Sequence, residues 1–62
     1  MTEKQELTLE AFDRLQDIIL LWEEENQDMG YTADRLAEIR MDIVRARSRM
    51  AVLFQRDVVK LP

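Results

Sequence analysis

Glu23, Glu24, Glu25 and Asp28 gather carboxylates into one short stretch, and Arg45, Arg47 and Arg49 alternate with small residues further along. These are the side chains whose types and spacing could do chemistry. Clustered carboxylates attract divalent cations. Consecutive helical residues, however, diverge by about 100° around the axis, so this cluster does not converge on one ion and reads as a solvated helix end. Arginine grips phosphate or carboxylate oxygens through its planar fork. Residues two apart diverge by about 200°, so the three arginines do not make one flat patch. Arg45 and Arg49 do lie one turn apart, and Arg40 and Arg47 share another line. Arg40, Arg45, Arg47 and Arg49 are thus the candidate contacts for an anion or nucleic acid. Their simplest role is pairing with the acids of the first half of the chain and with Asp42.

Catalysis has little to work with. The chain has no histidine and no cysteine, which removes the commonest general base, the thiol nucleophile and the usual zinc ligands. Ser48 is the only serine and has no evident base, and a single glycine excludes a glycine-rich phosphate loop. The composition predicts a non-enzyme with no cofactor and no metal.

The net charge of −4 hides an asymmetry. Residues 1–29 carry nine acids against Lys4 and Arg14, whereas residues 30–62 carry four acids against six arginines and Lys60. The halves therefore attract each other. The acidic total argues against general nucleic-acid binding, which goes with a basic balance. The polar start lacks the basic end and apolar core of a signal peptide. The apolar run Ile18 to Trp22 is far short of the roughly 20 residues that span a membrane. The expectation is a cytoplasmic protein with no membrane partner.

Two elements must position these residues. Phe12, Leu15, Ile19, Trp22, Asn26 and Met29 follow one another at steps of three and four, and so do Leu36, Ile39, Ile43, Ala46, Met50 and Leu53. That spacing lines one stripe on each of two α-helices that pack in coiled-coil fashion. Between them stands the only glycine, Gly30. The pattern predicts an all-α antiparallel hairpin in one domain, with helix one over about 8–29, a turn at 30–32 and helix two over about 33–58. Thr8 is a candidate cap of the first helix, with residues 1–6 either frayed or extending it, and Thr32 is the expected cap of the second. Gly30 is expected to end helix one in the left-handed conformation. The hairpin core is expected to comprise Phe12, Leu15, Ile19, Trp22, Leu36, Ile39, Ile43, Ala46, Met50 and Leu53. Folding back at Gly30 also brings Glu6 and Glu10 near Arg56, and Asp13 and Asp17 near Arg47 and Arg49.

Two helices bury one stripe each, and this chain has more apolar residues than that. Ile18, Leu20 and Leu21 surround the first stripe. Ala37, Val44, Ala51 and Val58 form a second ladder seven residues apart, with Phe54 beside it. A contiguous apolar patch beyond a few hundred Å² marks an interface. The surplus predicts a homodimer that completes a four-helix bundle. It also offers Trp22, Leu21 and Phe54 as anchors for a different protein. The expected function is a small regulator or adaptor that acts by occluding a protein target; the alternative is RNA or DNA binding through the arginines of helix two.

The outline, and the start Met1-Thr2-Glu3-Lys4-Gln5-Glu6, resembles the plasmid repressor-of-primer family, whose short helical hairpins dimerise and bind paired RNA loops. That family binds RNA through a basic first helix. Here the first helix is acidic, so the resemblance carries over no binding residues. The small helical-hairpin chaperones of type III secretion needle subunits are similar in shape alone.

Overall fold

A computed structural model describes the backbone of residues 1–59 and the side chains of residues 1–56. Among them the chain forms two α-helices that pack against each other and no strand: α1 (Glu3–Glu25) and α2 (Gly30–Val59). The antiparallel pair is a flat plank, 54 × 17 × 8 Å between its outermost Cα atoms.

α1 starts five residues before the expected position at Thr8. Thr2 caps it instead through a capping box. The Gln5 backbone N–H donates to the Thr2 hydroxyl at 3.1 Å, and the Thr2 N–H donates to Gln5 Oε1 at 2.8 Å. Two orphan donors are satisfied reciprocally, and Glu3 and Glu6 place negative charge where the helix dipole favours it. Thr8 lies within the helix, where its hydroxyl donates back to the Lys4 carbonyl at 2.8 Å.

α1 ends at Glu25, with Asn26 as its C-cap. The Asn26 side-chain Nδ2 donates to the Trp22 carbonyl at 2.8 Å, and its backbone N–H reaches the Trp22 and Glu23 carbonyls. Asn26 therefore closes the helix, and the chain reverses over residues 26–29 rather than 30–32. The Met29 N–H bonds the Asn26 carbonyl, and the Met29 carbonyl accepts the Ala33 N–H, both at 2.9 Å. Gly30 is the first residue of α2, not the last of α1, and Thr32 is already helical.

No described residue, Gly30 included, has a positive φ. A Cβ built on Gly30 meets nothing within 4 Å. Glycine's conformational freedom is unused here, so Gly30→Ala removes unfolded-state entropy without strain. We expect it to stabilise the chain by about 0.5–1 kcal/mol. Thermal denaturation monitored by circular dichroism checks this; a lower midpoint would show that the turn needs glycine.

The seam between the helices is lined by half-buried residues. On α1 these are Leu9, Phe12, Gln16, Ile19 and Glu23; on α2 they are Leu36, Ala37, Arg40, Ile43, Val44, Arg47, Met50, Ala51 and Phe54. None of the described residues is fully buried.

Candidate protein-docking face

The seam is rotated away from the stripes expected of it. Leu15, Trp22, Ile39 and Leu53, expected in the hairpin core, are exposed, Trp22 to 53%. Ala37, Val44, Ala51 and Phe54, expected at an outer interface, are half-buried in the seam instead. The remaining expected core residues, Phe12, Ile19, Leu36, Ile43, Ala46 and Met50, are half-buried. Ile18, Leu20 and Leu21 are exposed, and the Val58 side chain lies outside the described residues. Ala37, Val44 and Ala51 lie along the seam, and two ion bridges cross it.

Each bridge is a fork. Arg40 Nε donates to Glu23 Oε2 at 2.5 Å and its Nη2 to Oε1 at 3.3 Å. Arg47 Nε donates to Asp13 Oδ1 at 2.6 Å and its Nη2 to Oδ2 at 3.4 Å. Bidentate geometry adds orientation as well as attraction. The Glu23 side chain is only 14% exposed, so that pair sits against the seam. Its hydrogen bond and charge hold the Arg40 guanidinium above its ordinary pKa. Arginine is protonated at any pH the protein meets, so the bridge acts as a fixed clasp.

The other arginines look outward. Arg45 pairs with Asp42 one turn earlier at 3.3 Å, both well exposed. Arg35 pairs with Glu38 at 2.8 Å and lies over the Tyr31 ring, 5.1 Å from its centroid. The neighbouring Tyr31 side chain and the Glu38 carboxylate hold its pKa up. Arg49 is exposed. Of the candidate anion contacts Arg40, Arg45, Arg47 and Arg49, the first three therefore already hold carboxylates. The structure gathers no group of acids or other donors fit for a metal among the described residues.

The rotation leaves one side of the plank apolar. On α1, Leu7, Ala11, Leu15, Ile18 and Trp22 follow at steps of four, four, three and four, and all are exposed. Leu7, Ala11, Leu15 and Ile18 line one shallow groove together with the charged Glu10 and Arg14. On α2, Ile39, Ala46 and Leu53 recur every seven residues, flanked by half-buried Ile43 and Met50. Both ladders are rotated from the seam in the same sense about their own helix axes. In an antiparallel pair this puts them on the same side of the plank. Asp13 and its bridge to Arg47 lie toward the other side.

Leu7 and Ala11 belong to this face and escaped the sequence reading, although their spacing from Leu15 and Ile18 was legible. Leu21, 59% exposed, lies on the outer edge of α1 beside the acidic row Glu3, Glu10, Asp17 and Glu24.

The hairpin as a whole exposes 5187 Å². A compact monomer of 7.4 kDa exposes about 4,200 Å². A plank of these proportions exposes more than a compact chain of the same mass.

Comparison with protein-family models, with curated proteins and with solved structures finds no match to this chain. Among the described residues no helix is long and apolar enough to cross a membrane.

Proposed function

We propose that this chain is a small non-enzymatic regulator or adaptor that acts by protein–protein binding and works as a homodimer. The observation that carries the reading is the continuous apolar face made by the Leu7–Trp22 ladder of α1 and the Ile39–Leu53 ladder of α2. In a four-helix bundle each helix points its core residues between its hairpin neighbour and the opposite pair, about 45° off the hairpin seam. The exposed ladders are displaced from the seam in that direction.

A dimer closed through that face leaves the outer edge of α1 for a target. There Leu21 is an apolar anchor set in the row Glu10, Asp17 and Glu24. This chemistry fits a basic protein surface with an apolar pocket, and the mechanism is occlusion of that surface. Phe54, half-buried in the seam, is unsuited to anchor a target. The arginine reading toward nucleic acid is weakened because Arg40, Arg45 and Arg47 are engaged by carboxylates.

The test uses the tagged chain in its native host, comparing wild type with Leu21→Arg. We expect a specific protein to copurify with wild type and to be lost with Leu21→Arg, while the variant keeps the wild-type mass in solution. Recovery of nucleic acid whose binding falls steeply with salt would contradict the protein-binding reading.

A further inference from the structure

The apolar face is edged on each helix by a row of residues seven apart, which on α1 includes Ala11 and Ile18 of the ladder itself. On α1 the row is Lys4, Ala11, Ile18 and Glu25; on α2 it is Arg35, Asp42, Arg49 and Arg56. Rows in this position, beside a core ladder and away from the hairpin neighbour, meet the facing helix of a bundle and set partner and orientation by charge.

Laid antiparallel on a copy of itself, the α1 row is self-complementary. Lys4 meets the second copy's Glu25, and small Ala11 meets the second copy's Ile18. The α2 row does the same at its centre, where Asp42, which Arg45 of its own helix also holds, meets the second copy's Arg49. At its ends Arg35 meets the second copy's Arg56, but Arg35 already carries Glu38 as a counter-ion. Laying α1 on the second copy's α2 is poorer. It opposes Lys4 to Arg56 and sets Asp42 against Ile18, leaving Glu25 with Arg35 as its one favourable pair.

One symmetry condition supports the first arrangement. A two-fold axis crossing the helices must pass the midpoint of both rows. The α1 row is centred between Arg14 and Leu15, and the α2 row between Arg45 and Ala46. The inter-helix bridges place these midpoints at nearly the same level of the plank: stepping one to two residues along each antiparallel helix from Asp13–Arg47 reaches both, and from Glu23–Arg40 they fall about 4.5 Å apart along the axis.

We propose that a second copy of this chain docks on the apolar face about a two-fold axis perpendicular to the helices, α1 on α1 and α2 on α2, an inference that rests on the homodimer reading.

Single cysteines test it in this naturally cysteine-free chain. Near the axis, Leu15→Cys and Ala46→Cys are each expected to form a disulfide-linked dimer with their own kind on mild oxidation. Under the competing arrangement neither links to itself, because Leu15 and its copy sit diagonally across the bundle, beyond the roughly 7 Å Cα separation a disulfide can span. A mixture of the two variants would link instead.

Charge exchange checks the same point without touching the core. Asp42→Arg and Arg49→Asp are each expected to weaken the dimer about tenfold, because each contact occurs twice, and the double exchange to restore it. A dimer whose cysteines link only in the mixture, or whose charge variants show no coupling, overturns the docking mode and leaves the homodimer reading standing. A wild-type chain that stays monomeric overturns both.

Discussion

Ile18→Asp is expected to abolish self-association. Ile18 lies at the centre of the exposed α1 ladder, between Leu15 and Trp22. Burying an isoleucine side chain stabilises by about 1.5–3 kcal/mol, and a symmetric interface buries it twice. The substituted carboxylate must in addition leave water without a partner, a further penalty at each copy. Together these weaken the dimer by about a thousandfold or more. The effect reaches the helices as well. No described residue of the single hairpin is fully buried, so the freed chain has little interior of its own. Sedimentation velocity and far-ultraviolet circular dichroism at micromolar concentration read both consequences. We expect a single-chain mass and a large loss of helical signal. A variant that keeps both the wild-type mass and the wild-type helicity would place the interface elsewhere.

The second large effect is a melting temperature that depends on protein concentration. A chain of 62 residues orders its backbone and side chains at roughly 1.5 kcal/mol per residue, and small domains rarely recover this from one core. Here disulfides are absent, because there is no cysteine. If folding and association are one step, mass action couples stability to concentration. A tenfold rise in concentration adds about 1.4 kcal/mol per dimer. Divided by the unfolding entropy typical of two such chains, this raises the midpoint by about 5 °C. Thermal scans across a hundredfold range of concentration should therefore shift by about 10 °C. A midpoint independent of concentration would mean that the hairpin is stable alone.

Much of the fold was legible in the sequence because helical periodicity and the absence of internal proline are local signals. The two helices, their antiparallel pairing and the Asp13–Arg47 contact follow from spacing and charge. What spacing could not supply is the rotation of each helix about its axis. The stripes containing Leu15, Trp22, Ile39 and Leu53 are the most apolar lines on each helix, so they were assigned to the nearest contact. The hairpin instead half-buries Ala37, Val44 and Ala51 along with Arg40 and Arg47, whose forks reach carboxylates on α1. The most apolar line and the intramolecular seam differ in the sense expected when four helices share a core.

The helix ends were misread for a different reason. Thr2 with Gln5 satisfies the same capping rule as a threonine nearer the apolar run, and it wins because it adds helical residues and closes a reciprocal pair of hydrogen bonds. Gly30 drew the turn toward itself, yet Asn26 supplies the cap through its own side chain and needs no left-handed residue. Function was the least legible level. The residues with chemical potential are consumed by the fold: Glu23, Asp13, Arg40 and Arg47 hold the helices together. What they leave exposed is a surface, and a surface specifies its partner by shape and charge rather than by a motif.

The central claim is that the apolar face of α1 and α2 is covered by a second copy of the chain. Sedimentation equilibrium of the wild-type protein at low micromolar concentration tests it most directly. The expected result is one species of about twice the 7.4 kDa chain mass. A single species at the chain mass, with full helicity retained, would contradict it.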